Sequence, residues 1–144
     1  MPTLSWYGLT LESQFNGDPL DWTTATLKVA ILDSGYTPNK DTDHYWSDIS
    51  VNEAAANGDY VAGGVALASA AVSYDSTNDR VKLDAADLSL ATATTGRYLV
   101  VYDDTGTDST SRLLGYYDNG SDFGGGTSLD ITWDATGVLR LNIL

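Results

Sequence analysis

The 144-residue sequence has no cysteine, a single histidine and no long hydrophobic run. The lack of cysteine excludes disulfides, thiolate metal sites and thiol nucleophiles. No segment approaches the roughly 18 apolar residues of a membrane-spanning helix. The first residues, Met1–Trp6, have neither the basic start nor the apolar core of a signal peptide. We therefore expect a soluble chain made in the cytoplasm, with no membrane partner.

Basic residues are also scarce, since seven Lys and Arg stand against twenty acidic residues and give a net charge of -13. Such a field repels nucleic acid, whose binding requires cations that neutralise phosphates. Of the acidic residues only Glu12 and Glu53 are Glu, and the other eighteen are Asp. Asp favours turns and caps whereas Glu favours helix interiors. The nine Tyr and four Trp favour strands. The composition predicts a sheet protein that does not bind nucleic acid.

Motifs for catalysis are absent from the sequence. His44 has no accompanying G-x-S-x-G elbow, and we interpret it as a loop or helix-edge residue. The Asp-rich segments 103–108 and 118–122 place carboxylates near glycine, but neither matches an EF-hand loop. We interpret both as hairpin turns, with a weak calcium site shared between subunits as the alternative. No pair of Asp stands out as a glycosidase pair. We predict that the chain is not an enzyme and has no cofactor or metal.

Alternating apolar residues predict most of the strands. Thr26–Asp33 alternates, with Leu27, Val29 and Ile31 on one face and a second face that is only partly polar. Arg97–Asp103 is a continuous apolar run, typical of a central strand buried on both faces. The segment Val65–Asp75 and the segment Arg80–Asp84 are predicted strands around the turn 76–79, and Arg112–Tyr117 is the predicted hairpin partner of Arg97–Asp103.

Two further predictions concern irregular segments and the carboxy-terminal end. A short helix is expected within Asp41–Ser50, capped by Asp41, Thr42 or Asp43, and Asp118–Ser128 is the most flexible segment by composition. Leu129, Ile131 and Trp133 are expected to pair in a hairpin with Leu139, Leu141 and Ile143, with Gly137 as its bulge, and to lie in the core.

These patterns together predict the fold class. We expect one domain over residues 1–144, an all-β, antiparallel β-sandwich or flattened barrel of about seven or eight strands with little helix.

Three aromatic doublets, Trp6-Tyr7, Tyr45-Trp46 and Tyr116-Tyr117, are the most suggestive surface feature. Adjacent side chains in a strand point to opposite faces, so one member of each pair needs a second cover. That cover is either a second packed layer or a partner, because Tyr and Trp are enriched at interfaces; ordinary exposure of Tyr is the third alternative. The candidate partner contacts are Leu4, Trp6, Tyr7, Tyr45 and Trp46, the first three because an apolar amino-terminal segment would otherwise be exposed.

Several short blocks occur in order along nearly the whole chain, namely 20–22, 26–32, 36–42, 60–64, 72–75, 81–85, 93–102, 104–107, 114–116, 120–122 and 131–137. Together they resemble a family of small virion structural proteins of tailed bacteriophages. The Trp6-Tyr7 amino-terminal segment and the glycine-rich segment 123–126 depart from the family pattern.

The resemblance implies a structural role in the virion and carries over no functional residues. Among virion roles, a capsid decoration (cement) protein on the outer surface of the shell fits a small acidic β-protein best. Its expected partners are the major capsid protein and further copies of the chain, as a homotrimer. The alternatives are a tail or fibre component and a carbohydrate-binding adhesin module that uses exposed aromatic residues.

Overall fold

Between Pro2 and Ile143, the residues that the computed structural model describes, the chain forms ten strands, two short α-helices and one 3-10 turn. The strands are β1 (Ser5–Trp6), β2 (Leu27–Leu32), β3 (Val65–Ala66), β4 (Ala71–Asp75), β5 (Arg80–Asp84), β6 (Leu88–Leu90), β7 (Gly96–Asp103), β8 (Leu113–Phe123), β9 (Leu129–Ile131) and β10 (Leu139–Asn142). The helices are α1 (Gly8–Ser13) and α2 (Trp46–Ile49), and the 3-10 turn is Ser50–Asn52. The protein is all-β with only 9% helix, as predicted.

The strands form three antiparallel sheets. The largest has the order β1-β8-β7-β2-β3, the second has the order β10-β5-β4, and the third pairs β6 with β9. Ten strands exceed the predicted number of about seven or eight, because the predicted strand Val65–Asp75 is two strands, β3 and β4, and because β1 and β6, of two and three residues, were not predicted. Periodicity does not register so short a strand.

A first core lies between the five-stranded sheet and the two smaller sheets. Leu99 and Val101 of β7 and Leu27, Val29 and Ile31 of β2 pack there. From the opposite layer come Leu83 of β5, Leu90 of β6, Ile131 of β9 and Leu139 of β10. These two layers are the predicted sandwich.

A second core covers the other face of the five-stranded sheet. Ala30 and Leu32 of β2 and Tyr98, Val100 and Tyr102 of β7 pack there with Trp46 and Ile49 of α2. The prediction that Arg97–Asp103 is a central strand buried on both faces is therefore confirmed. The second face of β2, which is only partly polar in sequence, is covered as well.

A bulge keeps β8 in register with both cores. Val101 pairs with Gly115 and Tyr102 pairs with Leu113, so Leu114 is the extra residue. Gly115 has no room for a side chain, because a Cβ there would lie 2.7 Å from Leu139 Cδ2 and 3.0 Å from Leu4 Cβ. The small residue lets Leu4, just before β1, and Leu139 of β10 pack closely against β8.

Two predicted segments differ from the structure in the middle of the chain. Val65–Asp75 is not one strand: β3 pairs with β2, and β4 pairs with β5 in another sheet. Ser69, which has a φ of 55°, lies between them and redirects the chain. The segment Asp118–Ser128 is not uniformly irregular either, since β8 continues to Phe123.

The predicted carboxy-terminal hairpin is wrong. β9 pairs with β6 and β10 pairs with β5, so the turn Asp134–Gly137 joins two different sheets. Gly137 has a φ of 99°, but it allows close approach to β5, where its Cβ would lie 2.8 Å from the Leu83 carbonyl oxygen. Of the predicted core row, Ile131, Trp133 and Leu139 are buried and Leu129 is half-buried against the core. Leu141 is only half-buried, and Ile143 is 54% exposed.

The predicted helix within Asp41–Ser50 is present as α2, but it begins later and has a different cap. The Asp48 carboxylate accepts hydrogen bonds from the backbone N–H groups of His44 and Tyr45, which fixes the helix start at Trp46. Asp43 instead accepts hydrogen bonds from the Tyr36 hydroxyl and the Asn39 N–H. Helix α1 was not predicted, although it contains Glu12, one of the two Glu. No helix in the described part of the chain is long and apolar enough to cross a membrane.

Replacing Trp133 tests the first core. Trp133 is 5% exposed, and its Nε1 donates to the Ala86 carbonyl oxygen. We expect Trp133→Ala to lower the free energy of unfolding by about 3–5 kcal/mol, the range for buried aromatic truncations. The matched control Ile143→Ala should change it by no more than about 0.5 kcal/mol, as for other surface positions. Urea denaturation measures both, and a loss below about 1 kcal/mol for Trp133→Ala would mean that Trp133 is peripheral.

Candidate functional site

The aromatic doublets of strands β1 and β8 lie across the five-stranded sheet. Trp6 and Tyr117 pack against the first core, whereas Tyr7 and Tyr116 pack in the second. The Tyr7 and Tyr116 rings are 5.2 Å apart, and Trp6 Nε1 donates to the Arg140 carbonyl oxygen. The second packed layer, one of the alternatives left open by the sequence, is therefore the cover for these doublets.

The third doublet is covered in the same way on one side. Trp46 stacks on Tyr102 with a centroid distance of 4.6 Å and an interplanar angle of 5°. Tyr45 remains half-buried, with its ring 4.0 Å from that of His44. Trp46 belongs to the core and only Tyr45 retains accessible surface.

These positions correct the set of candidate partner contacts. Leu4, Tyr7 and Trp46 are buried within the chain, so their side chains offer no surface to a partner. Leu4 and Tyr7 were chosen because an apolar amino-terminal segment was expected to be exposed. It is not exposed, because strand β1 pairs with β8 and the Leu4 N–H donates to the Val138 carbonyl oxygen, just before β10. Partner contact remains a prediction for Trp6 and Tyr45, which are half-buried.

One carboxylate of each Asp-rich segment binds a basic residue of a neighbouring strand and a backbone N–H of its own segment. Asp104 pairs with Lys28 at 2.7 Å and accepts a hydrogen bond from the Gly106 N–H. Asp118 pairs with Arg97 and accepts from the Gly120 N–H. The hydrogen bonds from Lys28 and Arg97 are the main reason why the pKa of each carboxyl is lowered. This arrangement favours the hairpin-turn interpretation of 103–108, which lies in the connection between β7 and β8. The hairpin-turn interpretation of 118–122 is wrong, because these residues lie within β8, where its register with β7 shifts.

The described residues also contain no group of three or more His, Cys, Asp or Glu side chains that could hold a metal ion. His44 Nε2 is buried and has no hydrogen-bond partner in this part of the chain. Nε2 is the atom at which a triad histidine takes the proton of its nucleophile, and in His44 that atom makes no hydrogen bond to a hydroxyl of a described residue.

An apolar face of the three-stranded sheet is only partly covered. Directly paired residues of antiparallel strands lie on the same face of a sheet. Two adjacent apolar rows cross the strands on one face, namely Leu139–Leu83–Val72 and Leu141–Val81–Tyr74. Strand alternation places Ile143 beyond Leu141 on that face. We call Val72, Tyr74, Val81, Leu141 and Ile143 the open face.

Burial decreases across this sheet from one corner to the other. Leu139 and Leu83 are buried in the first core, and Val81 and Leu141 are half-buried. Val72, Tyr74 and Ile143 are 50%, 56% and 54% exposed. The β4–β5 hairpin and the end of β10 therefore extend beyond the part of the five-stranded sheet that covers their neighbours. Sequence reasoning missed this surface because alternation identifies an apolar face but not whether another layer covers it.

Asp75 holds the tip of this hairpin in shape. Its Oδ1 accepts hydrogen bonds from the backbone N–H groups of Thr77 and Asn78, and its Oδ2 accepts from Asn78 Nδ2 and Arg80 Nε. The Tyr74 hydroxyl donates to Asp79 Oδ1 across the same turn. The hairpin is thus ordered by polar contacts at its tip although its apolar face lies in solvent.

The reverse side of the three-stranded sheet is polar and comparatively basic. Arg140–Lys82–Ser73 and Asn142–Arg80–Asp75 are its cross-strand rows. They contain three of the seven basic residues of the chain. Arg80 pairs with Asp75 at 3.0 Å, and Arg140 donates to Thr136 Oγ1. The sheet is amphipathic, with one charged face and one open apolar face.

Comparison of this chain with protein-family models, curated proteins and solved structures finds no match. Functional interpretation therefore depends on the residues and contacts of the chain itself and on the resemblance described above.

Acid should weaken the hairpin tip through Asp75. Hydrogen bonds to its charged form, first from the Asn78 amide, lower the pKa of Asp75 to about 2, below the unfolded value of about 3.9. A lowered pKa stabilises the fold above about pH 4, and this contribution is lost as the pH falls through about 2. We expect Asp75→Asn to be less stable than wild type at neutral pH, with the difference shrinking across that range.

Urea midpoints of wild type and Asp75→Asn over a pH series provide the measurement. The control is Asp108→Asn, at an exposed position whose side chain makes no hydrogen bond to a described residue, and it should stay close to wild-type stability at neutral pH. An Asp75→Asn deficit that is the same at every pH would contradict the role of the ionised carboxylate.

Proposed function

We propose that this chain is a virion structural protein of a tailed bacteriophage, a capsid decoration protein that binds the outer surface of the shell through its open face. The observation that carries the attachment surface is the uncovered part of two apolar rows on strands β4, β5 and β10. The location on a capsid is supported by the sequence blocks that resemble the phage family.

The open face has the character of a contact surface. It combines an aromatic side chain, Tyr74, with aliphatic neighbours and contains no acidic residue, in a chain whose net charge is -13. Contiguous exposed apolar residues with a polar surround mark interaction sites on soluble proteins. Association through this face removes apolar surface from water, and the Asp79 carboxylate beside it is already bonded to the Tyr74 hydroxyl.

The order of the hairpin tip favours tight binding. Association must compensate for the loss of loop and side-chain freedom at the interface. Because Asp75 already fixes the turn through four hydrogen bonds, the β4–β5 hairpin has little freedom left to lose. An ordered β4–β5 hairpin with an exposed apolar face suits a protein that binds the subunits of a shell.

The charge of the chain favours the exterior of the particle. A net charge of -13 gains nothing next to packaged DNA, because phosphate contacts require Lys and Arg. Exposed ion pairs contribute little to binding, so we assign the attachment free energy to apolar contacts of the open face. The partner in this proposal is the major capsid protein.

Charge replacement on the open face tests this attachment. Val72→Asp places a carboxylate where the proposal requires burial, and an unpaired polar group in an interface costs about 1–3 kcal/mol. We expect binding to purified particles that lack this chain to weaken by roughly 10- to 100-fold, as measured by co-sedimentation.

The matched control is Val51→Asp, since Val51 is 87% exposed on the 3-10 turn, outside the open face. It should bind like wild type, and unfolding curves should show that both variants are folded. Unchanged binding of Val72→Asp, or equal weakening by Val51→Asp, would argue against attachment through the open face.

We also propose that the chain acts as a homotrimer, because local three-fold positions of a capsid lattice reward multivalent attachment. The half-buried residues Trp6 and Tyr45 are the candidate subunit contacts. Light scattering coupled to size-exclusion chromatography should give the mass of three chains, and Tyr45→Asp should lower it. A monomer mass at micromolar concentration would contradict the trimer.

A further inference from the structure

A second surface feature lies between the layers of the sandwich, on the inner side of β8 and along β9. It is a groove of about 320 Å³. It shares no lining residue with the open face, and it is not used by the proposed attachment. Ligand sites are typically concave and measure about 300–1,000 Å³, so this groove has room for one small ring rather than for a long chain.

The groove is apolar inside and polar at its mouth. Leu99 of β7 and Ile131 of β9, both 3% exposed, line its buried part. Tyr117 and Phe123 of β8 are half-buried along it. A ligand that enters therefore passes water-accessible polar groups at the mouth and then meets aromatic and aliphatic surface inside the groove.

Two polar side chains at the mouth have free hydrogen-bonding capacity. Asn119 is exposed and donates through Nδ2 to the Ser121 carbonyl oxygen, which leaves its Oδ1 as an acceptor. Thr132 is exposed, and its hydroxyl makes no hydrogen bond to a described residue. Together they can accept from and donate to hydroxyl groups at the rim of a ligand.

The charges of the groove exclude anions. None of the described residues that line it is Lys or Arg, and its one charged residue is Asp130. The Asp130 carboxylate accepts a hydrogen bond from the Ser89 hydroxyl at 2.5 Å. With no cation to pair with a carboxylate or phosphate, and with a net charge of -13 around it, the groove favours an uncharged ligand.

We propose that this groove binds a neutral sugar ring. A pyranose has one face of C–H groups, which suits the electron-rich face of an aromatic ring such as Tyr117, and hydroxyl groups at its edge, which suit Asn119 and Thr132. A wholly apolar ligand would use only the buried part of the groove and leave the polar mouth unsatisfied. The site gives the chain a contact with glycans that is separate from attachment to a shell.

Amide-resolved NMR titration of the purified full chain tests this proposal. The probes are methyl β-glucopyranoside, methyl β-galactopyranoside and N-acetylglucosamine, with glucuronate, inorganic phosphate and hexanol as charged and apolar comparators. We expect at least one neutral sugar, at millimolar concentration, to shift the amides of Asn119, Asp130 and Thr132 more than those of the open face, and the comparators to leave them unchanged.

Variants separate a built site from weak surface binding. Asn119→Ala and Thr132→Ala each remove one hydrogen-bonding group and should weaken binding by about fivefold, the equivalent of one hydrogen bond. Tyr117→Leu keeps apolar volume but removes the ring, and it should weaken binding at least as much. Thr37→Ala is the matched control, since Thr37 is exposed and lies outside the groove, and it should bind like wild type.

The groove amides themselves report that each variant is folded. The proposal is overturned if no neutral sugar shifts them, if a charged or apolar comparator binds there more tightly, or if the folded variants bind as well as wild type. Loss of particle binding by Val72→Asp has no effect on this titration, so the two proposals fail independently.

Discussion

The structure depends on the burial of strand β7 on both of its faces. Leu99 and Val101 enter the core between the sheets, while Tyr98, Val100 and Tyr102 enter the core formed with α2 and its flanking loops. The neighbouring strands β2 and β8 pair along its length. Because every apolar residue of β7 requires a cover, the chain must supply two layers around one sheet, and most of its remaining segments serve that need.

Candidate contact surfaces occur where this coverage ends. At the β1 and β10 edge the layers meet closely, since the Leu4 N–H donates to the Val138 carbonyl oxygen. The β4–β5 hairpin continues past the covered corner and leaves Val72 and Tyr74 half exposed or more. Between β8 and β9 the layers separate and leave the groove beside Tyr117. Both proposals concern surface that follows from the unequal lengths of the packed layers.

The sequence predicts the strands whose own side chains show a burial pattern. It does not predict which strands pair with each other or which faces another layer covers. Strands β2 and β7 were predicted correctly because their own side-chain pattern reports burial. Leu129–Ile143 also alternates, yet its two strands pair with β6 and β5 rather than with each other, since alternation specifies a face and not a neighbour. The open face was missed for the same reason: Ile143 has the pattern of a core residue but no layer opposite it. The converse error concerns Leu4, Tyr7 and Trp46. They were predicted to contact a partner, but other parts of this chain bury them.

Electron cryo-microscopy of the phage particle that, under our proposal, carries this chain tests the central claim most directly. The account predicts density for the sandwich on the outer surface of the shell, with Val72, Tyr74 and Ile143 of the open face against the major capsid protein. Density only in the tail, absence of the chain from the particles, or a decorating sandwich whose open face points to solvent would contradict it.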